Sequence, residues 1–256
     1  MCYLALASCL NAEQPLFGLQ SAGLHEGAPL STIEAMAARY LTEMRQAQRA
    51  GPYLLAGWSL GGAVAFEMAR QLVRDAESVG LLAIVDTVPG GSRRPTTERP
   101  RAGDDEDNTR WLVAIAEYVA GLRGRELPVS EADLVGLGSE QQLQLFLARL
   151  KGVGFLPAGA TLVQLRRLLA VFKSNSLAWY TYVPGPYRGP ITLFKARERN
   201  EDRDPTLGWR ELTPEPVGVH IIPGDHVTLL AEPNVRILAE RLEACLEIVA
   251  GAEASA

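Results

Sequence analysis

Short apolar runs alternate with amphipathic stretches over the first third of the chain. Residues 53–58 and 79–85 are almost continuously apolar, which is typical of strands in a parallel sheet with both faces covered. A run at residues 15–20 is interpreted as a further short buried strand. Residues 31–50 and 61–73 carry apolar side chains at helical spacing. This alternation predicts an α/β fold, a mostly parallel sheet with helices on both faces.

The first of these helices has a recognisable start, and the pattern changes further along the chain. Ser31 is predicted to cap the helix because Glu34 follows three residues later. Residues 89–107 are rich in Gly, Pro, Arg and acidic residues and predict an exposed link. Residues 108–182 are mainly helical in pattern. The helices predicted there cover residues 111–122, 140–150 and 161–180.

The sheet pattern then returns with two strands and a final helix, at residues 190–194, 217–222 and about 231–249. We therefore predict an α/β core from residues 1–90 and 186–256, with a helical insertion at residues 91–185. Such an insertion commonly forms a lid over a site at the strand ends. A packing subdomain without a gating role is the alternative.

Composition argues against several classes of function. The formal net charge is −5 and no basic block is present, so we expect no nucleic-acid partner. No apolar run is long enough to span a bilayer, so we expect no membrane partner. The first residues lack a basic region, so we expect no signal peptide. Cys2, Cys9 and Cys245 match no metal site and are interpreted as free thiols of a cytoplasmic protein.

Residues 57–61, Gly-Trp-Ser-Leu-Gly, fit the nucleophile elbow, a tight turn between a strand and a helix. Gly57 and Gly61 leave out side chains that would collide in this turn. Ser59 would project at the N-terminus of the helix, where the Leu60 N–H is the expected first donor to an oxyanion. A serine in an ordinary Gly-rich turn is the alternative, which the flanking strand and helix disfavour.

A serine nucleophile needs a base, and the chain offers three histidines. In a fold with this elbow the chain order is serine, acid, histidine. His226 follows the strand predicted at residues 217–222 and fits that order. His25 precedes Ser59, and His220 lies inside the strand, where a packed histidine is expected.

The predicted acid is Asp86, which ends the strand at residues 79–85 on the same sheet edge as Ser59. A carboxylate there would fix the tautomer of the imidazole. A turn-forming or capping role is the alternative for Asp86. Asp225 is the rival acid, but it adjoins His226, and neighbouring side chains in a loop rarely point at each other.

Residues 51–62, Gly-Pro-Tyr-Leu-Leu-Ala-Gly-Trp-Ser-Leu-Gly-Gly, with Ala-Phe-Glu-Met-Ala at 65–69, resemble the thioesterase domains that end nonribosomal peptide and polyketide assembly lines. Further resemblance lies at residues 15–24, 82–89 and 224–233. It implies an α/β-hydrolase fold and transfer of the growing chain from the phosphopantetheine thiol of an acyl or peptidyl carrier protein to Ser59. Water then releases an acid, or an internal nucleophile releases a ring. No metal and no cofactor beyond that carrier-borne phosphopantetheine is expected.

The resemblance also implies an acyl channel, with candidate lining residues Trp58, Leu60, Val88, Val227, Trp179 and Tyr180. Core packing is the alternative for each of them. Family members begin with a strand and a Gly-rich loop that supplies a second oxyanion N–H, before the part that matches Cys2 and Tyr3. We therefore expect the first strand and the oxyanion loop to be missing. Two alternative functions stay open: a general carboxylesterase, and a catalytically weak truncated remnant that binds a carrier protein.

Overall fold

The computed structural model describes residues 3–90, 107–123, 129–199 and 204–253. Within these residues the helices are α1 Leu4–Cys9, α2 Ile33–Ala47, α3 Leu60–Arg74, α4 Thr109–Arg123, α5 Glu131–Leu134, α6 Ser139–Gly152, α7 Leu162–Thr181 and α8 Asn234–Glu253. The strands are β1 Tyr53–Trp58, β2 Val79–Val85, β3 Ile191–Ala196 and β4 Val217–Ile222. Two short 3-10 turns lie at Trp209–Glu211 and Thr228–Leu230. Among the described helices, none combines the length and the hydropathy needed to cross a membrane.

The four strands form one parallel sheet in the order β1-β2-β3-β4, which confirms the predicted fold class. The strands are in register near their carboxyl ends, with Trp58 beside Val85, Val85 beside Phe194 and Phe194 beside His220. The residues that follow each strand therefore meet at a single edge of the sheet, where ligand sites of parallel sheets lie.

Helix packing covers this sheet and fixes the direction of α3. Helix α3 packs against β1 and β2, and α2 packs against α3. Helix α8 contacts β2 and β4. Ring packing of Phe66 on Trp209, with centroids 4.8 Å apart, fills the space beside α3. Both side chains are fully buried, so this contact anchors α3 in the core.

Contacts within the chain divide it into two compact units. The first comprises Met1–Leu19, Thr32–Arg93 and Trp179–Ala256, and the second comprises Gln20–Ser31 and Arg94–Ala178. The second unit has its own buried core, which includes Leu112, Leu134, Phe146, Leu150 and Leu165. The domain boundaries and the lid role inferred from the sequence stay predictions.

The strand predicted at residues 15–20 is wrong. These residues belong to no strand, and Phe17 is 75% exposed. A strand needs a neighbouring strand to satisfy its backbone hydrogen bonds, and no described strand pairs with this segment. The apolar pattern alone carried no information about the pairing partner.

The predicted start of the first long helix is also wrong by one residue. The cap of α2 is Thr32, whose side-chain oxygen accepts a hydrogen bond from the Ala35 N–H at 3.2 Å. Ser31 lies one position too early for this contact. The bounds of α4, α6, α7 and α8 differ from those predicted by one to four residues. The predicted link is mostly outside the described residues, as is the end of the C-terminal tail.

A buried carboxylate on α3 allows a stability prediction. Glu67 is 4% exposed, and its carboxylate accepts hydrogen bonds from the Tyr182 hydroxyl at 2.7 Å and from Gln71 Nε2 at 3.1 Å. Arg70 donates to the same carboxylate and to the Pro186 carbonyl. Glu67 therefore ties α3 to the segment that follows α7.

Glu67→Gln keeps the size of the side chain but removes the charge that these donors share. We expect the free energy of unfolding to fall by about 1–3 kcal/mol, measured by urea denaturation. Glu240→Gln, an exposed position on α8, is the matched control and should change stability by less than about 0.5 kcal/mol. Equal effects of the two substitutions would contradict this interpretation of Glu67.

Candidate active site

Ser59 lies in a strained turn between β1 and α3. Its backbone has φ 54° and ψ −129°, a positive φ that is costly for any residue other than glycine. A Cβ atom at Gly57 would lie 2.0 Å from the Gly61 carbonyl oxygen, so only glycine fits there. At Gly62 a Cβ atom would lie 2.4 Å from Thr87 Oγ1. The two glycines therefore allow the close approach of strand and helix that this turn requires.

Contacts to β2 and to the N-terminal segment hold the turn. The Ser59 N–H donates to the Val85 carbonyl at 3.3 Å. Thr87 Oγ1 lies 2.9 Å from the Ser59 carbonyl oxygen and 2.9 Å from the Val85 carbonyl oxygen. On the other edge of β1, the Trp58 N–H donates to the Tyr3 hydroxyl at 2.9 Å. The Leu60 N–H belongs to the first turn of α3, whose N–H groups have no acceptor within the helix itself.

Asp86 follows β2 and is 1% exposed. Its Oδ1 accepts from the Ala196 N–H at 2.9 Å, and its Oδ2 lies 2.7 Å from His226 Nδ1. Burial alone would raise the pKa of Asp86. The hydrogen bonds from His226 and Ala196 and the positive charge of Arg199 outweigh that effect and hold the pKa below its usual value. The carboxylate is therefore ionised at neutral pH.

His226 lies in the loop after β4 and joins the other two side chains. Its Nε2 is 3.1 Å from Ser59 Oγ, while its Nδ1 faces Asp86. An ionised carboxylate can only accept hydrogen bonds, so the imidazole proton belongs on Nδ1. Nε2 is then free to accept the Ser59 hydroxyl proton. The structure thus brings together the three residues that the sequence selected as serine, base and acid.

The rival acid, Asp225, is engaged by its own loop. Its Oδ1 accepts hydrogen bonds from the Val227 N–H at 2.9 Å and the Thr228 N–H at 2.8 Å. The Thr228 hydroxyl donates to the same oxygen at 2.8 Å. Asp225 therefore closes the turn that carries His226, while Asp86 orients the ring.

The two other histidines lie in different surroundings. His25 is exposed, with its Nε2 3.1 Å from Gln20 Oε1. His220 stacks on Phe194 with ring centroids 5.1 Å apart, and its Nε2 lies 3.6 Å from Cys245 Sγ. Burial lowers the pKa of His220, with a further contribution from the nearby Arg241. Neither is hydrogen-bonded to Ser59.

The predicted channel residues have mixed positions. Trp58 is 3% exposed, and its indole N–H donates to the His226 carbonyl at 2.8 Å. The two rings lie 5.3 Å apart, so Trp58 supports the histidine loop. Val88 and Val227 are half-buried beside the acid and the base, and Trp179 and Tyr180 pack edge to face at 5.2 Å. Substrate contact by these residues stays a prediction, as does the oxyanion role of Leu60.

Sequence reasoning missed three residues of this site: Tyr3, Thr87 and Arg199. Thr87 and Tyr3 brace the serine turn through hydroxyl groups, and Arg199 contacts Asp86. Arg199 lies in a polar run after β3 that has no periodicity to mark one position. β3 is the neighbour of β2, which Asp86 follows, so a basic side chain within a few residues of the end of β3 is a candidate partner for Asp86. Arg199 meets that criterion.

Trp58→Phe tests the support of the histidine loop. Phenylalanine keeps an aromatic ring beside His226 but removes the N–H that its carbonyl accepts. Losing one such bond costs about 1 kcal/mol, so the rate constant for covalent labelling of Ser59 by a fluorophosphonate should fall by roughly five- to tenfold. An unchanged rate would show that this contact does not position His226.

The parallel sheet, the serine turn at the end of β1 and the Ser59–His226–Asp86 hydrogen-bonded line define an α/β-hydrolase-type protein. The model of the family described as "Thioesterase domain" matches residues 1–246, and the chain belongs to this family. The resemblance inferred from the sequence is thereby confirmed.

Relatives of the chain include synthases many times its length. It is 29% identical over 246 residues to chondramide synthase cmdD of Chondromyces crocatus, covering 93% of this chain and 6% of that protein. Among solved structures, it matches holo-AB3403, a four-domain nonribosomal peptide synthetase bound to AMP and glycine, with a TM-score of 0.83 and 31% identity. That match covers 95% of this chain and 18% of the synthetase chain.

A covalent complex of the NocB thioesterase domain with a fluorophosphonate nocardicin G analogue is also similar. The TM-score is 0.55 and the identity 25%, over 85% of this chain and 76% of the NocB chain. This chain therefore spans a small part of the synthases it matches and most of an isolated thioesterase domain.

Proposed function

We propose that the chain releases acyl or peptidyl chains from a carrier-protein thioester through an acyl intermediate on Ser59. The observation that carries this proposal is the continuous line from Ser59 Oγ through the His226 ring to the Asp86 carboxylate, with distances of 3.1 and 2.7 Å. The line lies at the carboxyl ends of the strands, where ligand sites of parallel sheets are found. Membership of the thioesterase family supports a thioester as substrate.

In the first step, Ser59 Oγ attacks the thioester carbonyl while His226 Nε2 takes the hydroxyl proton. The carbonyl oxygen becomes an oxyanion, which the Leu60 N–H and the positive end of α3 stabilise. When the intermediate collapses, the carbon–sulfur bond breaks and the imidazolium returns its proton to the leaving phosphopantetheine thiolate. The products of this step are a free carrier thiol and an ester on Ser59.

In the second step, His226 removes a proton from water, which attacks the ester carbonyl. Collapse expels the Ser59 alkoxide, which recovers its proton from the imidazolium, and the chain leaves as an acid. An internal hydroxyl or amine of the bound chain can take the place of water, and the product is then a ring. Asp86 stays ionised throughout and stabilises the imidazolium in both steps.

The expected partner is an acyl or peptidyl carrier domain, because the relatives are synthases of which this chain matches a small part. Phosphopantetheine is then part of the substrate, because it links the acyl chain to the carrier domain. The proposed chemistry uses no cofactor bound to this chain. The similarity to NocB, which forms a covalent fluorophosphonate complex, makes this reagent a suitable probe of Ser59.

The substrate class is tested by comparing two octanoyl donors: octanoyl-phosphopantetheine on an excised peptidyl carrier domain, and p-nitrophenyl octanoate. We expect kcat/KM to be higher for the carrier-bound thioester by roughly tenfold or more, because contacts remote from the reacting carbon contribute binding energy. Ser59→Ala is the control for background hydrolysis of both donors. Turnover of the oxygen ester without turnover of the carrier-bound thioester would overturn the proposal in favour of a general carboxylesterase.

A further inference from the structure

Arg199 contacts Asp86 at two points. Its Nη1 donates to the Asp86 backbone carbonyl at 3.0 Å and to Oδ2 at 2.9 Å. The side chain of Arg199 is 19% exposed and that of Asp86 is fully buried, so the pair is shielded from most of the solvent. A partly buried guanidinium–carboxylate contact is worth more than an exposed one because water screens it less.

The contact also involves the backbone of Asp86. This residue has φ 45°, in the left-handed region that residues other than glycine rarely adopt. Its N–H donates to the Phe194 carbonyl at 2.8 Å, and its own carbonyl accepts from Arg199. Arg199 thereby links the main chain and the side chain of Asp86, which limits rotation of the carboxylate about its own backbone.

Oδ2 of Asp86 is shared between Arg199 Nη1 and His226 Nδ1. An ionised carboxylate oxygen has more than one acceptor site, so Oδ2 can accept both hydrogen bonds at once. Arg199 therefore holds this oxygen in the position from which it accepts from His226.

Two other charged groups on neighbouring segments have different partners. Asp225 lies in the same loop as His226, but its Oδ1 accepts hydrogen bonds from its own turn. Lys195, on β3, extends its Nζ to the Asp204 carbonyl at 3.5 Å. Among the described residues, Arg199 is thus the cation that contacts the acid of the site.

We propose that Arg199 is a positioning residue for the reaction: it anchors the Asp86 carboxylate toward His226, so that the imidazole keeps the orientation in which Nε2 faces Ser59 Oγ. This inference rests on the proposed use of Ser59 and His226. It does not depend on which acyl donor the protein uses, because any attack by Ser59 needs a correctly oriented ring.

The test measures the labelling of Ser59 by a fluorophosphonate at neutral pH in Arg199→Met, Arg199→Lys and the unmodified protein. In Arg199→Met we expect the maximal labelling rate to fall by roughly tenfold, since the hydrogen bonds that hold the Asp86 carboxylate are gone, while the half-saturating reagent concentration stays the same. Arg199→Lys keeps a cation that can donate to Asp86 and should restore most of the rate. Arg197→Met, an exposed position in the same loop, is the matched control and should leave the rate unchanged.

An unchanged labelling rate in Arg199→Met, or a loss that Arg199→Lys does not rescue, would overturn the proposal. Thermal melting of each variant identifies any loss of fold, and Arg199→Gln, which can donate but carries no charge, takes the place of Arg199→Met if that variant unfolds. Labelling is independent of the carrier-bound substrate. Failure of the carrier-thioester assay together with slower labelling of Arg199→Met would therefore contradict the proposed substrate class and leave the role of Arg199 standing.

Discussion

Ser59→Ala is expected to lower kcat for the carrier-bound octanoyl thioester by about 10⁴- to 10⁶-fold, close to the background rate. The hydroxyl is the only part of this side chain that can carry the acyl group, and His226 then has no proton to accept. The fold should be unaffected, because Ser59 makes no side-chain cap to α3. The measurement is release of the carrier thiol, together with a thermal melt of the variant.

Ser8→Ala is the matched control, because Ser8 is exposed on α1 and its hydroxyl donates to the Leu4 carbonyl of the same helix. This variant should retain full turnover and full fluorophosphonate labelling. If Ser59→Ala kept its turnover and its labelling while folded, another residue would be the nucleophile.

The second large effect is expected from Asp86→Asn, which should lower kcat by about 10⁴-fold. The amide of asparagine can offer an N–H group to His226 Nδ1, and this would favour the tautomer with its proton on Nε2. That nitrogen could then no longer accept the Ser59 proton. Since Arg199 and the Ala196 N–H also bond to this carboxylate, the free energy of unfolding should be measured in parallel.

Asp225→Asn is the control that separates the two candidate acids. Asparagine keeps a carbonyl oxygen that can accept from the Val227 and Thr228 N–H groups, so the loop should hold its shape. We expect less than a tenfold loss of kcat. A loss from Asp225→Asn as large as that from Asp86→Asn would contradict the assignment of Asp86 as the partner of His226.

The convergence of the three side chains could be predicted because it depends on topology. Ser59 and Asp86 each follow an apolar run, and His226 follows a third. Parallel strands bring their carboxyl ends to one edge, so residues far apart in sequence meet there. Chain order then selected among the three histidines, and the structure places the selected one 3.1 Å from Ser59 Oγ.

Other features depend on contacts that a local pattern does not record. The apolar pattern at residues 15–20 predicts a strand, but a strand forms only beside a partner strand, which this segment does not specify. Ser31 and Thr32 are both good capping residues, and the choice between them follows from where the first turn of α2 begins. Arg199 contacts Asp86 from 113 residues further along the chain, so only the folded structure shows the pair.

The central claim is that Ser59 carries the acyl chain, and trapping of the acyl-enzyme tests it most directly. The protein is mixed with octanoyl-loaded carrier domain, quenched in acid within seconds and digested with trypsin. Cleavage after Arg49 and Arg70 gives the peptide of residues 50–70, in which Ser59 is the only serine, threonine or cysteine. We predict that the mass of one octanoyl group is added to this peptide and that Ser59→Ala abolishes the addition. An octanoyl group on a different peptide, or thiol release in which no acylated peptide forms at any quench time, would contradict the account.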